Sequence, residues 1–409
     1  MYAVWKWYRD KSFVLKITTG FILGAILGLI IGPQAQVLSP FGDIFLRLLQ
    51  MIIVPLILFT LIAAVNMTNP KQLGRVTVKI FIYYILTTAI AMLIGIMLGT
   101  LFNPGVGLEL TQTHVEVPET PSFIDTLLAI IPTNFFDSVA NGDILSIVFV
   151  AMIIGFVISG MQHGNEQKVS DWGSMLSKLL DAGTEVTFRI LKGILQYAPI
   201  GVFAIAASRI GQQGFDVLYS LSRYVGASYV GVAIQFALVY MLILFLFKIP
   251  VMQFFKNIRE AIITAFITSS SLGTLPVTIK SADKAGINAT ISRFTLPIGA
   301  TVNMDGSAIH FGVGAVFAAN IVGFELTFGA ILAIVLAGTL ASIGTAGVPG
   351  AGLIGLSIVL TQVGLPIEIV ALTAGVNVLT DMIFTTCNVT GDLAGAAIVS
   401  KSEKNKELV

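Results

Sequence analysis

Residues 342–350, Ser-Ile-Gly-Thr-Ala-Gly-Val-Pro-Gly, interrupt a long apolar segment with small and helix-breaking residues. An earlier apolar segment is interrupted in the same way at residues 269–276, Ser-Ser-Ser-Leu-Gly-Thr-Leu-Pro. Non-helical backbone at membrane depth occurs only where it is buried in protein or lines a wet cavity. Paired interruptions of this kind predict two re-entrant hairpins of a transporter built from inverted repeats. The alternative is two proline-kinked spans that pack through small residues.

The composition around these segments indicates an all-α polytopic membrane protein. Hydrophobic residues make up 56% of the 409 residues and charged residues 11%, which lies outside the range of soluble domains. This length accommodates about eight spans of roughly 20 residues each. The single cysteine, Cys387, excludes a disulfide within the chain and a cysteine-rich metal site. Basic residues flank apolar segments, so we expect no nucleic-acid partner.

Charges that flank the apolar segments predict the orientation of the chain. Three bases precede the first apolar run, three follow the second, and the loop at 103–120 after the third has acids and no lysine or arginine: Lys6, Arg9, Lys11; Lys71, Arg75, Lys79; Glu109, Glu116, Glu119. The positive-inside rule therefore places the amino terminus in the cytoplasm. The basic tail from Lys401 to Lys406 is predicted to be cytoplasmic too, which makes a multi-pass protein of the cell membrane with an even number of crossings.

The middle of the chain is harder to divide into spans. Apolar runs at 127–131, 144–161 and 176–210 include short or amphipathic pieces, and Pro132 and Pro199 predict kinks or breaks there. Residues 219–247 predict one clean span.

Three aspartates lie in very apolar sequence with no base nearby. From Phe294 to Ser400 the chain has no lysine or arginine, yet it contains Asp305, Asp381 and Asp392. An ionised carboxylate at the centre of a bilayer costs at least about 2.5–3.5 kcal/mol, so such residues usually face a polar cavity or an ion path. They indicate a site for cations.

The last apolar segment places a polar stripe on one helical face. Asn377, Asp381, Thr385, Asn388 and Asp392 follow one another at intervals of 4, 4, 3 and 4 residues, and such intervals lie on one side of a helix. Phe384 falls on the same side. A network of interhelical hydrogen bonds explains asparagine and threonine at these positions but not two aspartates.

Asp305 lies in the sequence Asn303-Met304-Asp305-Gly306-Ser307. Together with Gly299, the glycine and serine here allow the helix to unwind and free its carbonyls. Carboxylate, amide and carbonyl oxygens suit a hard cation such as sodium, and soft-metal chemistry is disfavoured. His310, one turn later, is either a ligand or proton carrier, or a packing histidine.

These motifs closely resemble those of the glutamate transporter homologues, the dicarboxylate and amino acid:cation symporters that include the excitatory amino acid transporters. The resemblance runs nearly end to end, and its most specific parts are the serine-rich tip, residues 303–306, residues 342–350 and Asn388-Val389-Thr390-Gly391-Asp392. It implies eight transmembrane helices, two re-entrant hairpins and a homotrimer in which a mobile transport domain moves as an elevator beside a static scaffold.

The resemblance also implies how the chain is divided. Residues 1–70 would hold the first two scaffold helices, and residues 71–124 the third helix, in the transport domain, with an extracellular loop. Residues 125–215 would complete the scaffold and the trimer contacts with the fourth and fifth helices. Residues 216–409 would form the core of the transport domain, from the sixth helix through both hairpins to the eighth helix.

For cofactors the resemblance implies two to three sodium ions and no redox or organic group. One set of ligands would be Asp392, Asn388 and the carbonyls of Gly299 and Asn303. The second set would be the carbonyls of Thr301, Ser342, Ile343 and Thr345. The third would be Asp305, Asn303, Thr87, Thr88 and Tyr84.

For the substrate, the resemblance implies that Asp381 holds an amino group. The α-carboxylate would be held by Asn388, Ser271 and backbone near Val348 and Gly352, and the pocket would be lined further by Ser270, Ser307 and Thr385. Phe384 stands where members that carry acidic substrates have an arginine, and Asn377 where such relatives often have the aspartate that braces it. Phe311 stands where mammalian members have a proton-carrying glutamate.

The expected function is therefore sodium-coupled symport of a neutral amino acid, either small or as long as cystine, and not an enzymatic reaction. The alternative is symport of an acidic amino acid or C4-dicarboxylate, with the missing arginine replaced from elsewhere in the fold. Two remote alternatives are a passive channel and an intramembrane aspartyl protease built on Asp305 and Asp392.

Overall fold

The computed structural model describes residues 13–66, 70–108, 128, 130–345 and 347–403, and the regular elements in these ranges are all helices. They are α1 (Phe13–Ile31), a 3-10 turn (Gly32–Leu38), α2 (Ser39–Asn66), α3 (Pro70–Phe102), α4 (Phe135–Asn141), α5 (Ile144–Gln162), α6 (Gln167–Gln213), α7 (Phe215–Ile234), a π-helical turn (Gln235–Tyr240), α8 (Met241–Leu246), α9 (Val251–Thr268), α10 (Ser271–Lys284), α11 (Ala289–Val302), α12 (Asp305–Val322), α13 (Phe328–Gly344), α14 (Ala351–Gln362) and α15 (Glu368–Glu403).

Within the described ranges, 6 helical stretches are long and apolar enough to cross a membrane. The first of them, Leu15–Ala63, comprises α1, the 3-10 turn and most of α2. The helices of the two hairpins are shorter, as the interrupted segments predict. The count of eight spans remains a prediction. The bases of the amino terminus, the acids of the loop at 109–119 and the lysines at 404 and 406 lie outside the described residues.

The helices pack in two groups. In one group α1, α2 and α5 pack against the long helix α6. In the other, α3 lies along α12 and α7, and α15 contacts α9, α11 and α12. The second group contains Asp305, Asp381 and Asp392, the three aspartates of the stretch from Phe294 to Ser400 that has no lysine or arginine.

Three glycines bring α1 into close contact with α6. A Cβ atom added to Gly20, Gly24 or Gly28 would lie 2.5, 2.3 or 2.5 Å from a backbone carbonyl oxygen of α6. Small residues four positions apart let membrane helices approach closely, where van der Waals packing and not the hydrophobic effect holds them together. The interface between α1 and α6 therefore depends on the absence of side chains at these three positions.

Replacing Gly24 with valine is expected to lower the free energy of unfolding by about 1–3 kcal/mol, because the new side chain must displace the backbone of α6. The midpoint of thermal unfolding in detergent measures this effect. Gly193→Val is the matched control, since a Cβ atom at Gly193, on α6, meets nothing within 4 Å. Equal melting temperatures for the two variants would contradict the close contact.

The sequence predicts a kink or a break at Pro199 in the segment 176–210, and the prediction of a break is wrong. Helix α6 runs without interruption for 47 residues and contains Pro199. Proline removes one backbone hydrogen bond, but packing against neighbouring helices tolerates this loss in membrane proteins. Here the residue is buried, and its carbonyl faces Gly20 of α1. Pro132 does lie in a non-helical segment, before α4.

The predicted span at 219–247 lies within one helical stretch, Phe215–Leu246, in which the π-helical turn joins α7 to α8. One boundary differs from the sequence predictions. The first hairpin breaks only at Ser269 and Ser270, and Pro276 lies inside α10. Pro276 has no N–H to bond to the Leu272 carbonyl, so α10 continues through it with one backbone hydrogen bond missing.

Candidate functional site

The tips of the two hairpins touch each other. Ser269 ends α9 in the left-handed region, with a φ of 48°. The Ser270 hydroxyl accepts a hydrogen bond from the Gly273 amide as the cap of α10 and donates one, 2.8 Å long, to the carbonyl of Gly347. The Leu272 amide donates to the same carbonyl at 3.1 Å. Residues from the two interrupted segments are thus joined across 75 or more positions of sequence.

The second tip also packs onto the end of α11. A Cβ atom at Gly347 would lie 2.3 Å from the carbonyl oxygen of Ala300, so only glycine fits. Gly350, which precedes α14, has a φ of 80°, a conformation that glycine adopts without strain. These two glycines explain why this tip is built from small residues.

The backbone unwinds at Asn303 and Met304, between α11 and α12, as the sequence predicts. The new helix is fixed to α15 at its first turn. The Gly306 amide donates a 2.7 Å hydrogen bond to Oδ1 of Asn388, and a Cβ atom at Gly306 would lie 2.2 Å from the carbonyl oxygen of Phe384. This contact brings the unwound segment against the polar face of α15.

Asp305 is fully buried and accepts four hydrogen bonds from side chains. The hydroxyls of Thr88 and Thr87, on α3, donate to Oδ1 at 2.8 and 3.2 Å. Oδ2 accepts from the Tyr240 hydroxyl at 2.7 Å and from the Gln235 amide at 3.3 Å. Side chains of α3 and of the π-helical turn therefore converge on one carboxylate.

Gln235 and Tyr240 are functional candidates that the sequence predictions missed. They stand at the two ends of the π-helical turn, and turns of this kind are often found at functional sites. The sequence did contain a signal for Gln235. Besides one serine and two tyrosines, it is the only polar residue in the apolar run from Val225 to Phe247, and polar residues in such runs are often functional.

Asp392 forms the centre of a second group of polar atoms. Its Oδ1 accepts a 3.0 Å hydrogen bond from Nδ2 of Asn303. Gly299 adjoins it, since a Cβ atom there would lie 2.5 Å from Asp392 Oδ1 and 2.6 Å from the Tyr84 hydroxyl. Asn303 thus contacts Asp392 through its side-chain amide, Gly299 adjoins it, and Asn388 lies one turn earlier on α15. The carbonyls of Gly299 and Asn303 remain predicted ligands.

Asn303 links the two aspartates. Its Oδ1 lies 3.5 Å from the Thr87 hydroxyl, while its Nδ2 donates to Asp392. Gly391 lies between the two groups, since a Cβ atom at this position would be 2.9 Å from Asn303 Nδ2 and 3.0 Å from Asp305 Oδ2. The two predicted cation sites are therefore neighbours that share one asparagine.

Tyr84 lies between these sites in a way that the prediction did not specify. Its hydroxyl donates to the Thr295 carbonyl at 3.0 Å and faces the Asp392 group, whereas its own carbonyl accepts from Thr87 at 3.3 Å. The carbonyl of Tyr84 is the atom that adjoins the Asp305 group.

The oxygen atoms of both groups are suitable ligands for sodium. They are carboxylate, hydroxyl, amide and carbonyl oxygens, which hard cations prefer. In the described ranges no three histidines, cysteines, aspartates or glutamates form a group that would hold a metal ion. None of the ion pairs described includes Asp305 or Asp392, so neither carboxylate has a basic partner in the described part of the chain.

The carbonyls predicted as a further sodium site lie at the ends of α11 and α13. Thr301 is in the last turn of α11, and Ser342 and Ile343 are in the last turn of α13, which Thr345 follows. Carbonyls at the carboxyl ends of helices carry partial negative charge that favours cations. The contact of Gly347 with Ala300 holds the two helix ends together, but the four carbonyls remain a predicted set.

Asp381 contacts the second hairpin directly. Its Oδ2 accepts a 3.0 Å hydrogen bond from the amide of Gly350. Phe384 lies one turn further along α15 and is buried, and its ring centroid is 5.3 Å from that of His310. The other predicted pocket residues are buried or half-buried on these helices and tips, namely Ser270, Ser271, Ser307, Val348, Gly352, Asn377, Thr385 and Asn388.

A comparison with protein families covers nearly the whole chain. Residues 13–402 match the model of the sodium:dicarboxylate symporter family. The chain belongs to this family. The symporter is therefore a membrane transporter and not an enzyme, which confirms the resemblance inferred from the sequence motifs and excludes the aspartyl protease considered above.

The symporter is similar to bacterial and mammalian transporters. It is 32% identical to the proton/sodium-glutamate symport protein of Bacillus subtilis (strain 168), over 95% of this chain and 92% of that protein. It is 30% identical to the proton/glutamate-aspartate symporter of Escherichia coli (strain K12), over 96% and 93%. It is 31% identical to excitatory amino acid transporter 3 of Mus musculus, over 98% and 87%.

Proposed function

We propose that this symporter drives amino acid uptake with two or three sodium ions, bound at the Asp305 and Asp392 groups and at the ends of α11 and α13. Family membership supports cation-coupled transport. The observation that carries the sodium proposal is the pair of buried carboxylates joined by Asn303, which are surrounded by oxygen atoms and have no basic partner in the part of the chain that is described.

In this proposal Asp381 binds the ammonium group of the substrate. It is the remaining aspartate of the stretch from Phe294 to Ser400, which has no lysine or arginine, and it lies at the second hairpin, away from the linked pair. The Asn388 amide and the backbone of the hairpin tips would bind the α-carboxylate. A substrate with both groups is an amino acid.

The side chain of the substrate is proposed to be neutral. Phe384 presents an apolar ring, Asn377 carries no charge, and the described ion pairs place no arginine or lysine beside Asp381. An acidic side chain buried here would lack a cationic partner, at a cost of several kcal/mol. The names of the relatives favour the other candidate, an acidic amino acid, because they specify glutamate or aspartate. This candidate requires a positive group from elsewhere in the fold.

Uptake into sealed proteoliposomes with an inward sodium gradient tests both the sodium coupling and the neutral substrate side chain. Accumulation above the external concentration is expected only with sodium, and a passive channel cannot produce it. Excess alanine, serine or cystine is expected to inhibit uptake, and excess aspartate is not. Inhibition by aspartate alone would establish the acidic candidate instead.

Introducing Phe384→Arg together with Asn377→Asp is expected to shift preference toward aspartate by about 100-fold or more, since a buried carboxylate then gains a charged partner. The ratio of inhibition constants for aspartate and serine measures the shift. Asn377→Asp alone is the control, because it adds no cation. An unchanged ratio in the double variant would contradict the assignment of this pocket to the substrate side chain.

The two packing groups support an elevator arrangement. We assign α1, α2, α5 and α6 to the scaffold and α3 with α7 to α15 to the transport domain, with the second hairpin as the gate. The symporter would be a multi-pass homotrimer of the cell membrane with cytoplasmic termini. Cross-linking of cysteines placed on α2 and α14 would test whether the transport domain moves relative to the scaffold. If the two domains are fixed, the cross-linking rate is the same with and without sodium.

A further inference from the structure

His310 is a buried polar residue that the proposed sodium and ammonium sites do not use. It lies on α12 with 1% of its surface exposed. Its Nδ1 is hydrogen-bonded to the Tyr224 hydroxyl of α7. This bond holds the ring in place and leaves Nε2 as its remaining polar atom.

Nε2 has no hydrogen-bond partner among the described residues. Gly352, on α14, lies beside the ring, since a Cβ atom at this position would be 3.7 Å from Cδ2 and 4.0 Å from Nε2. An unsatisfied buried polar atom costs about 1–3 kcal/mol. This cost would be removed by a hydrogen-bond partner that binds beside Nε2 during the transport cycle.

The surroundings of Nε2 point to the substrate as that partner. The His310 ring packs against Phe384 on α15, with centroids 5.3 Å apart, and against the start of α14. The same two elements carry the Asp381–Gly350 contact proposed to receive the ammonium group. An amino acid bound at Asp381 would therefore extend its side chain toward Phe384 and the imidazole edge.

We propose that His310 binds the side chain of the substrate through Nε2, and that the substrate class is neutral amino acids whose side chains carry a hydroxyl or amide. This inference rests on the proposed function and makes it narrower. Phe384 supplies an apolar wall, and His310 supplies a hydrogen-bonding group in contact with it. Tyr224 is a positioning residue, since it acts only by holding the ring.

The test compares pairs of amino acids that differ in a hydrogen-bonding group, serine against alanine and asparagine against leucine, as inhibitors of sodium-driven uptake in proteoliposomes. For the wild type the polar member of each pair is expected to inhibit more strongly. His310→Phe is expected to reduce this preference about tenfold, while the inhibition constant of alanine changes less than threefold. His310→Gln, which retains a hydrogen-bonding group, is expected to restore part of the preference.

Tyr224→Phe keeps the imidazole and removes its anchor, so we expect an intermediate loss of preference. It also serves if His310→Phe does not fold. His163→Phe is the matched control, since that histidine lies at the end of α5 and bonds to the Ser159 carbonyl; it should leave all ratios unchanged. Equal losses for polar and apolar inhibitors would show that His310 has only a packing role and would overturn the inference.

The failure of the proposed function would look different. A wild-type protein without sodium-driven uptake of any amino acid contradicts the symport proposal itself. A wild type that prefers aspartate contradicts the neutral assignment, and His310 is then tested by the aspartate-to-alanine ratio. If His310→Phe leaves this ratio unchanged, the assignment of His310 is wrong.

Discussion

Replacing Asp381 with asparagine is expected to abolish amino acid uptake while sodium binding persists. Asparagine keeps the shape of the side chain, and its oxygen can still accept the 3.0 Å hydrogen bond from the Gly350 amide. The negative charge is lost, however, and an ammonium group buried without its partner costs about 3–5 kcal/mol. This cost corresponds to a loss of more than about 100-fold in substrate affinity.

Two measurements together identify this effect. Uptake under a sodium gradient should fall to background, and the amino acid should no longer raise the melting temperature, whereas sodium should raise it as in the wild type. Asp283→Asn, at an exposed position of α10, is the control and should retain both responses. If Asp381→Asn binds amino acids within threefold of the wild type, Asp381 is not the ammonium site.

Replacing Asp305 with asparagine is expected to remove one of the proposed sodium sites and so weaken the response to sodium. The Asp305 carboxylate is the acceptor in all four of its side-chain hydrogen bonds. An asparagine amide presents an NH2 group to two of these donors and also removes the charge that attracts the cation. We expect at least about 100-fold weaker sodium binding, because a charged, desolvated partner is lost.

The melting temperature as a function of sodium concentration measures this prediction. A cation present at 100 times its dissociation constant stabilises the wild type by about 2.7 kcal/mol per site, and in Asp305→Asn the gain should be smaller by the contribution of this one site. Asp216→Asn, exposed at the start of α7, should behave like the wild type. A normal sodium response in Asp305→Asn would exclude this carboxylate as a ligand. The opposite behaviour of Asp381→Asn and Asp305→Asn separates the substrate site from the ion site.

The parts of the fold that follow from local chemistry were predictable. Small residues and glycines mark the second hairpin because a side chain at Gly347 would collide with Ala300. The unwinding at Asn303 was likewise visible in the glycines and serine around it. Pro199 misled the prediction because local propensity ignores the packing of α1 on α6, which tolerates the lost hydrogen bond.

The candidate site was predictable along each helix but not across helices. The spacing on α15 placed Asp381, Asn388 and Asp392 on one face, and the structure has them so. The roles of Gln235 and Tyr240 depend on a π-helical turn that shifts the helical register, and no periodicity in residues 219–247 indicates it. The unpaired nitrogen of His310 could be recognised only after α7 and α14 had been placed around it.

The hydrogen bonds around the two linked aspartates also constrain biosynthesis. Thr88 and Asp305 are 217 residues apart, and Asn303 and Asp392 are 89 apart. The ribosome must therefore synthesise α15 before the network can close, and until then α3 and α12 enter the membrane with their polar groups incompletely paired. Closure of this network is thus possible only once α15 has been made and not in any earlier intermediate.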